Sequence, residues 1–178
     1  MYISVQDRLV QEITELMYYN IPCTYMRGGT SRALIFQKKD LPADKTLWPE
    51  LFMKALGVRM TAAGLSAMGV DFPTHKIAVI SPHEGDDADV DYDFFQTDDE
   101  NYYVDNRGNC GNMSSAVGPY AIDEGMVEAK EPETIVRIFN TNTKRIIKSR
   151  VLVKNGKSSI NSSFTPFMKL SQLLFNIR

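Results

Sequence analysis

The chain has 178 residues, of which 43% are hydrophobic, with two cysteines and a formal net charge of −2. This length and apolar content are sufficient for one largish domain with a real core. Its Lys and Arg residues are not clustered as on a nucleic-acid-binding face, and no apolar run approaches the roughly 18 residues of a membrane span. Two cysteines form at most one disulfide, so we expect a reducing, cytoplasmic compartment rather than a secreted, disulfide-rich scaffold.

The N-terminal segment predicts a helix ahead of the main domain. Apolar residues recur at i, i+4 steps from Val5 to Met17, which indicates a short amphipathic helix. Charges run through the middle of this segment, and the apolar centre of a signal peptide would not tolerate them. We therefore assign residues 1–19 to a helical extension.

Strands and two helices are predicted after this extension. The helices are Leu47–Leu56 and Ser114–Asp123, each followed within two residues by a glycine, and the Gly- and Ala-rich segment Met60–Gly69 is predicted to be a loop. Short, hairpin-length connections indicate an α+β domain with a mainly antiparallel sheet, not a wound βαβ sheet. The predicted strands are Ile21–Met26, Arg32–Phe36, Lys76–Ser81, Asp89–Gln96, Asn101–Val104, Glu133–Asn140 and Lys144–Val153.

The densest charge run, Glu84–Asp93, is predicted to be a solvated loop followed by an edge strand. A calcium-binding loop would need a central glycine and a closing glutamate at fixed spacing, and this pattern is absent. We therefore predict no metal site in this segment.

Cys110 lies in the segment NRGNCGN, directly before the second predicted helix. Asn112 and Ser114 are candidate N-caps, and the flanking glycines let the backbone turn sharply beside a ligand. A helix N-terminus carries unpaired N–H groups and a partial positive charge, which favour both a carboxylate and a thiolate. The segment therefore offers an anion cradle beside an activated sulfur, as proton transfer on a carboxylic acid requires.

Two other interpretations of Cys110 remain open. Gly- and Asn-rich turns are common before helices, and cysteine is often only a small buried residue. A cysteine hydrolase would need a histidine partner, and the two histidines, His75 and His83, lie in no helpful local pattern.

The helix after Cys110 is predicted to be buried and short. Apolar residues from Ala116 to Ile122 cover most of its faces, which is typical of a helix enclosed by the protein. Proline breaks an ordinary helix interior, so Pro119 is expected in about the first turn and the helix start near Met113–Ser115.

Four segments together resemble the PrpF family, which includes 2-methylaconitate cis-trans isomerase and 4-oxalomesaconate tautomerase. The combination of two motifs is specific for this family: RGGTS, and NCGN followed by AVGP. The motifs keep the family's order over about residues 21–157. The resemblance implies a diaminopimelate-epimerase-like fold, in which each half is mainly antiparallel β-structure wrapped around a central helix. The matching segments are IPCTYMRGGTSRALIF (21–36), the stretch ending in KIAVISP (69–82), VDYDFFQ (90–96) and NCGNMSSAVGPYAIDEGMV (109–127).

The resemblance also implies a site in a cleft between two halves. Cys110 matches a cysteine that takes or gives the substrate proton in the related epimerases, and Lys76 matches the lysine proposed as acid/base in the PrpF branch. No metal or organic cofactor is expected. The residues expected to bind substrate are Arg27, Gly28, Gly29, Thr30, Ser31, Asn109, Gly111 and Asn112.

The implied activity is an isomerase or tautomerase acting on an unsaturated tricarboxylate such as 2-methylaconitate. Either Lys76 or Cys110 would remove a proton next to the double bond. The backbone N–H groups of Gly111 and Asn112, helped by Arg27, would hold the carboxylate into which charge spreads.

The chain departs from the family in length. Family members are about twice as long, and residues 158–178 show no match to them, which leaves residues 20–157 as one family-like half. The tail is interpreted as a loop with a small amphipathic helix, and it suggests a truncated or frameshifted product or a natural one-half protein. Two copies could pair as a homodimer and rebuild a two-lobed cleft. The alternatives are a catalytically inactive half-domain, as a remnant or binding module, and an unrelated cysteine enzyme.

Overall fold

The computed structural model describes residues 20–56, 75–98, 101–159 and 169–176. The helix predicted within residues 1–19 and the loop predicted at Met60–Gly69 lie outside these residues. Within the described ranges, no helix is long and apolar enough to cross a membrane.

The seven predicted strands and two predicted helices are all present, with small shifts at their ends. The helices are α1, Trp48–Leu56, and α2, Gly111–Asp123, and two 3₁₀ turns, Lys38–Asp40 and Lys45–Leu47, precede α1. The strands are β1 Asn20–Gly28, β2 Ser31–Gln37, β3 Lys76–Pro82, β4 Val90–Asp98, β5 Tyr103–Asp105, β6 Glu133–Asn140, β7 Arg145–Lys154, β8 Lys157–Ser158 and β9 Lys169–Asn176.

The strands pair in the order β8-β7-β6-β4-β3-β2-β1-β9, and β5 pairs with β4. Of the eight pairings among described strands, only β2–β3 and β4–β6 are parallel. The prediction of a mainly antiparallel α+β domain is therefore confirmed. The prediction of an edge strand after the acidic loop is wrong, because β4 is paired with β3 on one side and with β6 and β5 on the other.

The sheet carries one helix on each face, because successive side chains of its inner strands point to opposite sides. Ile35 and Tyr92 pack in the apolar cluster that contains α2. Phe36 and Phe95 pack in the cluster that contains α1. Burying one such side chain contributes roughly 1.5–3 kcal/mol, so apolar contacts supply most of what holds both helices to the sheet.

Helix α2 begins earlier than the sequence predicted and ends at Asp123, as predicted. Its N-cap is Cys110, so the predicted caps, Asn112 and Ser114, and the predicted start near Met113–Ser115 are wrong. Pro119 lies inside the helix, although an interior proline costs about 3 kcal/mol. Burial offsets this cost, because nine of the thirteen helix residues are buried, as the apolar pattern predicted.

The tail contains a strand where a helix was expected. Strand β9 pairs antiparallel with β1, from Asn176 opposite Asn20 to Lys169 opposite Met26. The open edge of β1 presents a row of backbone N–H and C=O groups, which an added strand satisfies and a helix does not. The predicted amphipathic helix is therefore wrong for residues 169–176.

Close packing of α2 on β7 depends on Gly118. A Cβ atom at this position would lie 2.5 Å from Ser149 Oγ, 2.8 Å from Ser149 Cβ and 2.9 Å from Val151 Cγ2. Close-packed atoms cannot accept such contacts unless the helix or the strand moves. The missing side chain of Gly118 therefore sets the distance between α2 and β7.

We predict that Gly118→Ala lowers the free energy of unfolding by about 1–3 kcal/mol, because the added methyl group overpacks this contact. Gly111→Ala is the matched control, since a Cβ atom there meets no described atom within 4 Å. Urea unfolding followed by circular dichroism measures both variants. Equal stability of Gly118→Ala and the unaltered chain would show that the α2–β7 contact is loose.

Charged groups hold the acidic loop that precedes β4. His83 Nδ1 lies 2.6 Å from Asp91 Oδ1, and His83 Nε2 lies 2.9 Å from Asp87 Oδ1. Arg137 donates from Nη2 to Asp89 Oδ1 at 2.6 Å. The hydrogen bond with Asp91 raises the pKa of His83 above its ordinary value; partial desolvation opposes this effect and Asp87 adds to it.

We predict that the His83 contacts make stability depend on pH. The folded-state pKa of His83 is raised above the unfolded value of about 6.5. The stabilisation by the His83 contacts is therefore complete below the unfolded pKa and is lost as pH rises through the folded-state pKa. Thermal unfolding of the unaltered chain and of His83→Gln, from about pH 5 to about pH 9, measures the contribution. The difference should shrink as pH rises, and a constant difference would contradict the assignment.

Candidate functional site

The candidate site lies where the β1–β2 turn, the first residue of β3 and the start of α2 come together. Ser31 precedes Ala33 by two residues and Lys76 precedes Ala78 by two, and both alanines lie in the cluster that contains α2. Alternate residues of a strand share a face, so Ser31 and Lys76 lie on the α2 side. Cys110 packs against the same cluster.

The β1–β2 turn packs directly against the first turn of α2. A Cβ atom at Gly28 would lie 2.3 Å from the carbonyl oxygen of Asn112, and one at Gly29 would lie 2.4 Å from Asn112 Oδ1. Gly29 also has a φ of +55°, in the left-handed region that favours glycine. Asn112 Nδ2 donates to Thr30 Oγ1 at 2.9 Å and to Ser31 Oγ at 3.4 Å. The RGGTS segment therefore packs closely around Asn112 and is hydrogen-bonded to its side chain.

A side-chain amide from the turn after β6 holds the loop that leads to Cys110. Asn142 Oδ1 accepts from the Phe94 N–H at 2.8 Å, and Asn142 Nδ2 donates to the Phe94 carbonyl at 2.9 Å. The amide thus pairs with β4 in the gap that β5 and β6 leave between them. Asn142 Nδ2 also donates to the Asn106 carbonyl at 2.6 Å, which fixes the start of the loop.

Asn109, predicted to bind substrate, is part of the same polar framework. Its Oδ1 accepts from Ser114 Oγ at 3.2 Å and lies 3.4 Å from Asn140 Nδ2. Sequence reasoning missed Asn140 and Asn142. The signal that could have found them is the polar run NTNT at residues 140–143, which separates two apolar strands.

Cys110 combines partial exposure with a place at the helix start. Its Sγ lies 3.8 Å from Ser31 Oγ, and its carbonyl accepts the first helical hydrogen bond, from the Ser114 N–H at 2.9 Å. No side chain of the described residues caps the helix, and Gly111 and Asn112 are exposed. An uncapped helix start offers backbone N–H groups and partial positive charge to an anion.

Lys76 is 5% exposed, which is rare for a lysine. Burial lowers the pKa of its ammonium group, and the negative charge of a Cys110 thiolate opposes that effect. Lys76 therefore lies within electrostatic range of Cys110, the other predicted catalytic residue. Gln96, opposite Lys76 in the sheet, donates to the His75 carbonyl at 2.6 Å.

Arg27 is placed differently from the other predicted residues. Cys23 and Tyr25, which precede it at alternate positions of β1, pack in the α1 cluster, so the side chain of Arg27 lies on that face. Arg27 Nε donates to the Gly29 carbonyl at 2.9 Å. The structure therefore brings Ser31, Lys76 and Cys110 together and directs Arg27 toward the turn.

His83 and the acidic residues that bind it form a separate group at the other end of β3 from Lys76. His83 lies just beyond the end of β3 opposite to Lys76, and its ring is bound to Asp87 and Asp91. In the part of the chain that the structure describes, no three His, Cys, Asp or Glu side chains are grouped so that they could hold a metal ion.

A family model described as PrpF protein matches residues 18–166. A 3-methylitaconate isomerase from Eubacterium barkeri is 43% identical over 141 residues, which cover 79% of this chain and 37% of that protein. A 4-oxalomesaconate tautomerase from Pseudomonas putida is 39% identical over 137 residues, which cover 77% of this chain and 38% of that protein. The chain thus spans well under half the length of these curated relatives.

Solved structures give the same result for the fold. A crystal structure of methylitaconate-delta-isomerase matches with a TM-score of 0.73 and 42% identity, over 79% of this chain and 62% of that one. A hydroxyproline epimerase from Agrobacterium vitis has a TM-score of 0.54 at 14% identity, over 79% of this chain and 40% of its own, and shows the fold alone. The predicted epimerase-like fold is therefore confirmed.

We predict that Cys110 reacts with iodoacetamide near neutral pH and that Cys23 does not. Cys23 is 4% exposed, and burial raises its pKa to about 12; Cys110 is partly exposed at an uncapped helix start, which favours a reactive thiolate. Peptide mass spectrometry after brief labelling measures both thiols. In urea both should react, and equal labelling of the native chain would contradict the prediction.

Proposed function

Because this chain belongs to the PrpF family, we propose that it is part of an isomerase that moves a proton and a double bond within an unsaturated tricarboxylate such as 2-methylaconitate. The observation that carries the proposal is the uncapped start of α2, where Cys110 lies within electrostatic range of the buried Lys76. The names of the relatives, 3-methylitaconate isomerase and 4-oxalomesaconate tautomerase, support this class of reaction.

The first step removes a proton from the carbon next to the double bond. Lys76 or Cys110 takes this proton, and the electron pair left on carbon spreads through the double bond into a carboxylate. The N–H groups of Gly111 and Asn112 hold that carboxylate, because the partial positive charge of the helix start stabilises the added negative charge. A proton returned at the other end of the allylic system moves the double bond, and no cofactor is needed for this balance.

Two effects act in opposite directions on the protonation state of Lys76. Burial lowers the pKa of Lys76 and so favours the neutral amine, which can accept a proton. A thiolate at Cys110 favours the ammonium, which can return one. With one proton shared between them, one group acts as base while the other acts as acid.

One side of the site is open in this chain. Thr30, Asn109, Gly111 and Asn112 are exposed. We propose that a second wall covers them and excludes water, supplied by the rest of a longer protein or by a second copy in a homodimer. The competing proposal is a catalytically inactive half-domain, which the same open face favours.

We predict that the chain incorporates solvent deuterium into 2-methylaconitate or aconitate, as followed by proton NMR in D₂O. Cys110→Ser and Lys76→Met should each slow the exchange by about 100-fold or more, because each removes a proton-transfer group. Cys23→Ala is the matched control, since Cys23 packs on the α1 face of the sheet, and it should keep the exchange rate.

Light scattering on the same samples relates exchange to assembly. Exchange that rises with the dimer fraction supports a second copy as the missing wall. Full exchange by both Cys110→Ser and Lys76→Met would refute the two assignments. No exchange by the unaltered chain, at concentrations that populate a dimer, favours the inactive half-domain.

A further inference from the structure

A chain of three polar groups runs from Asn112 to the sulfur of Cys110. Asn112 Nδ2 lies 3.4 Å from Ser31 Oγ, and Ser31 Oγ lies 3.8 Å from Cys110 Sγ. Ser31 is 5% exposed, so bulk water does not readily replace these partners. Asn112 Nδ2 also donates to Thr30 Oγ1 at 2.9 Å, which anchors the amide on the turn.

The protons that Asn112, Ser31 and Cys110 carry limit the direction of the hydrogen bonds between them. An amide nitrogen carries two protons and accepts none, so Asn112 donates to Thr30 and to Ser31. Ser31 Oγ accepts in that bond, and when Cys110 is a thiolate the Ser31 hydroxyl is the only one of the two groups with a proton to donate. A hydroxyl that donates to sulfur stabilises the thiolate relative to the thiol, because hydrogen bonds to a charged acceptor are the stronger ones.

We propose that Ser31 is a positioning residue for Cys110, whose hydroxyl donates to Sγ and stabilises the thiolate, with Asn112 fixing the direction of that bond. The consequence for catalysis rests on the proposed function. The hydrogen bond itself can be measured without any substrate.

Other groups near the sulfur act in different ways. Lys76, on β3, interacts with Cys110 through its charge. Tyr92, on β4, also lies within electrostatic range of Cys110, and burial raises its pKa, so it stays neutral. Ser114 Oγ lies 3.0 Å from the carbonyl oxygen of Cys110 and is bonded there and to Asn109, not to the sulfur. Ser31 is therefore the described hydroxyl that bonds to the sulfur.

The test is the pH dependence of Cys110 alkylation by iodoacetamide in the full chain, with Cys23→Ala in every sample so that one thiol remains. Ser31→Ala should raise the pH of half-maximal alkylation by about one unit, the size of effect expected for a hydrogen bond to a charged group. Ser31→Thr keeps a hydroxyl and should leave the pH near that of the parent. Thr30→Val removes the hydroxyl that anchors the Asn112 amide and leaves the Ser31 hydroxyl in place, so it should shift the pH by less than Ser31→Ala does.

Asn112→Ala provides a second, independent variant. It keeps the Ser31 hydroxyl but removes the group that orients it, so the half-maximal pH should rise by less than in Ser31→Ala. If thermal unfolding shows that Ser31→Ala is misfolded, Asn112→Ala and Ser31→Thr decide the question. An unchanged alkylation profile in folded Ser31→Ala or, failing that, in Asn112→Ala would overturn the proposal.

Deuterium exchange separates this proposal from the proposed function. A positioning role predicts that Ser31→Ala loses exchange at neutral pH and regains part of it at higher pH, where the thiolate forms again. An equal loss at every pH, without an alkylation shift, would overturn the proposal and make Ser31 a substrate-binding residue. If the chain shows no exchange, the proposed function fails, and the alkylation shift still supports or overturns the hydrogen bond.

Discussion

The contact between the first turn of α2 and the glycine pair of the β1–β2 turn determines the geometry of the whole site. A Cβ atom at Gly28 or Gly29 would collide with Asn112, so only glycine lets the two backbones approach this closely. That approach brings the Asn112 amide to Ser31, which is 81 residues away in sequence, and brings Ser31 to Cys110. The contact therefore converts two distant motifs into one hydrogen-bonded unit.

The sheet supplies the other half of the site by burying a lysine. Lys76 begins β3, a strand with β2 on one side and β4 on the other, and its side chain lies on the face covered by α2. Burying an ammonium group is costly unless a nearby charge compensates, and here a Cys110 thiolate can do so. A lysine whose charge depends on the state of a neighbouring thiol is well suited to exchanging a proton, and such coupled groups are typical of functional sites.

Local patterns predicted the elements well and the start of α2 poorly. Alternating apolar residues place the strands, because burial on a sheet face is encoded at every second residue. The N-cap is a different problem: Cys110 is not a favoured capping residue, and Asn112, which is favoured, donates its amide to Thr30 across the fold. Pro119 made the predicted helix start too late, because an interior proline was expected to break the helix. Only the folded structure shows that burial of the helix outweighs the cost of this proline. Alternation along β1 places Arg27 on the same face as Cys23 and Tyr25, but the sequence alone does not say which of the two helices covers that face.

The contacts of α2 and of the loop before it explain how the sulfur of Cys110 is held in place. The helix is fixed at its start by Asn112 against the β1–β2 turn, and near its middle by Gly118 against β7. The loop before it is tied at Asn106 to Asn142, which follows β6. Strands β6 and β7 form one antiparallel pair. The loop and the helix therefore both contact the same hairpin. Cys110 lies between these attachments, so its distance from Ser31 follows from the packing of the sheet and does not depend on the loop alone.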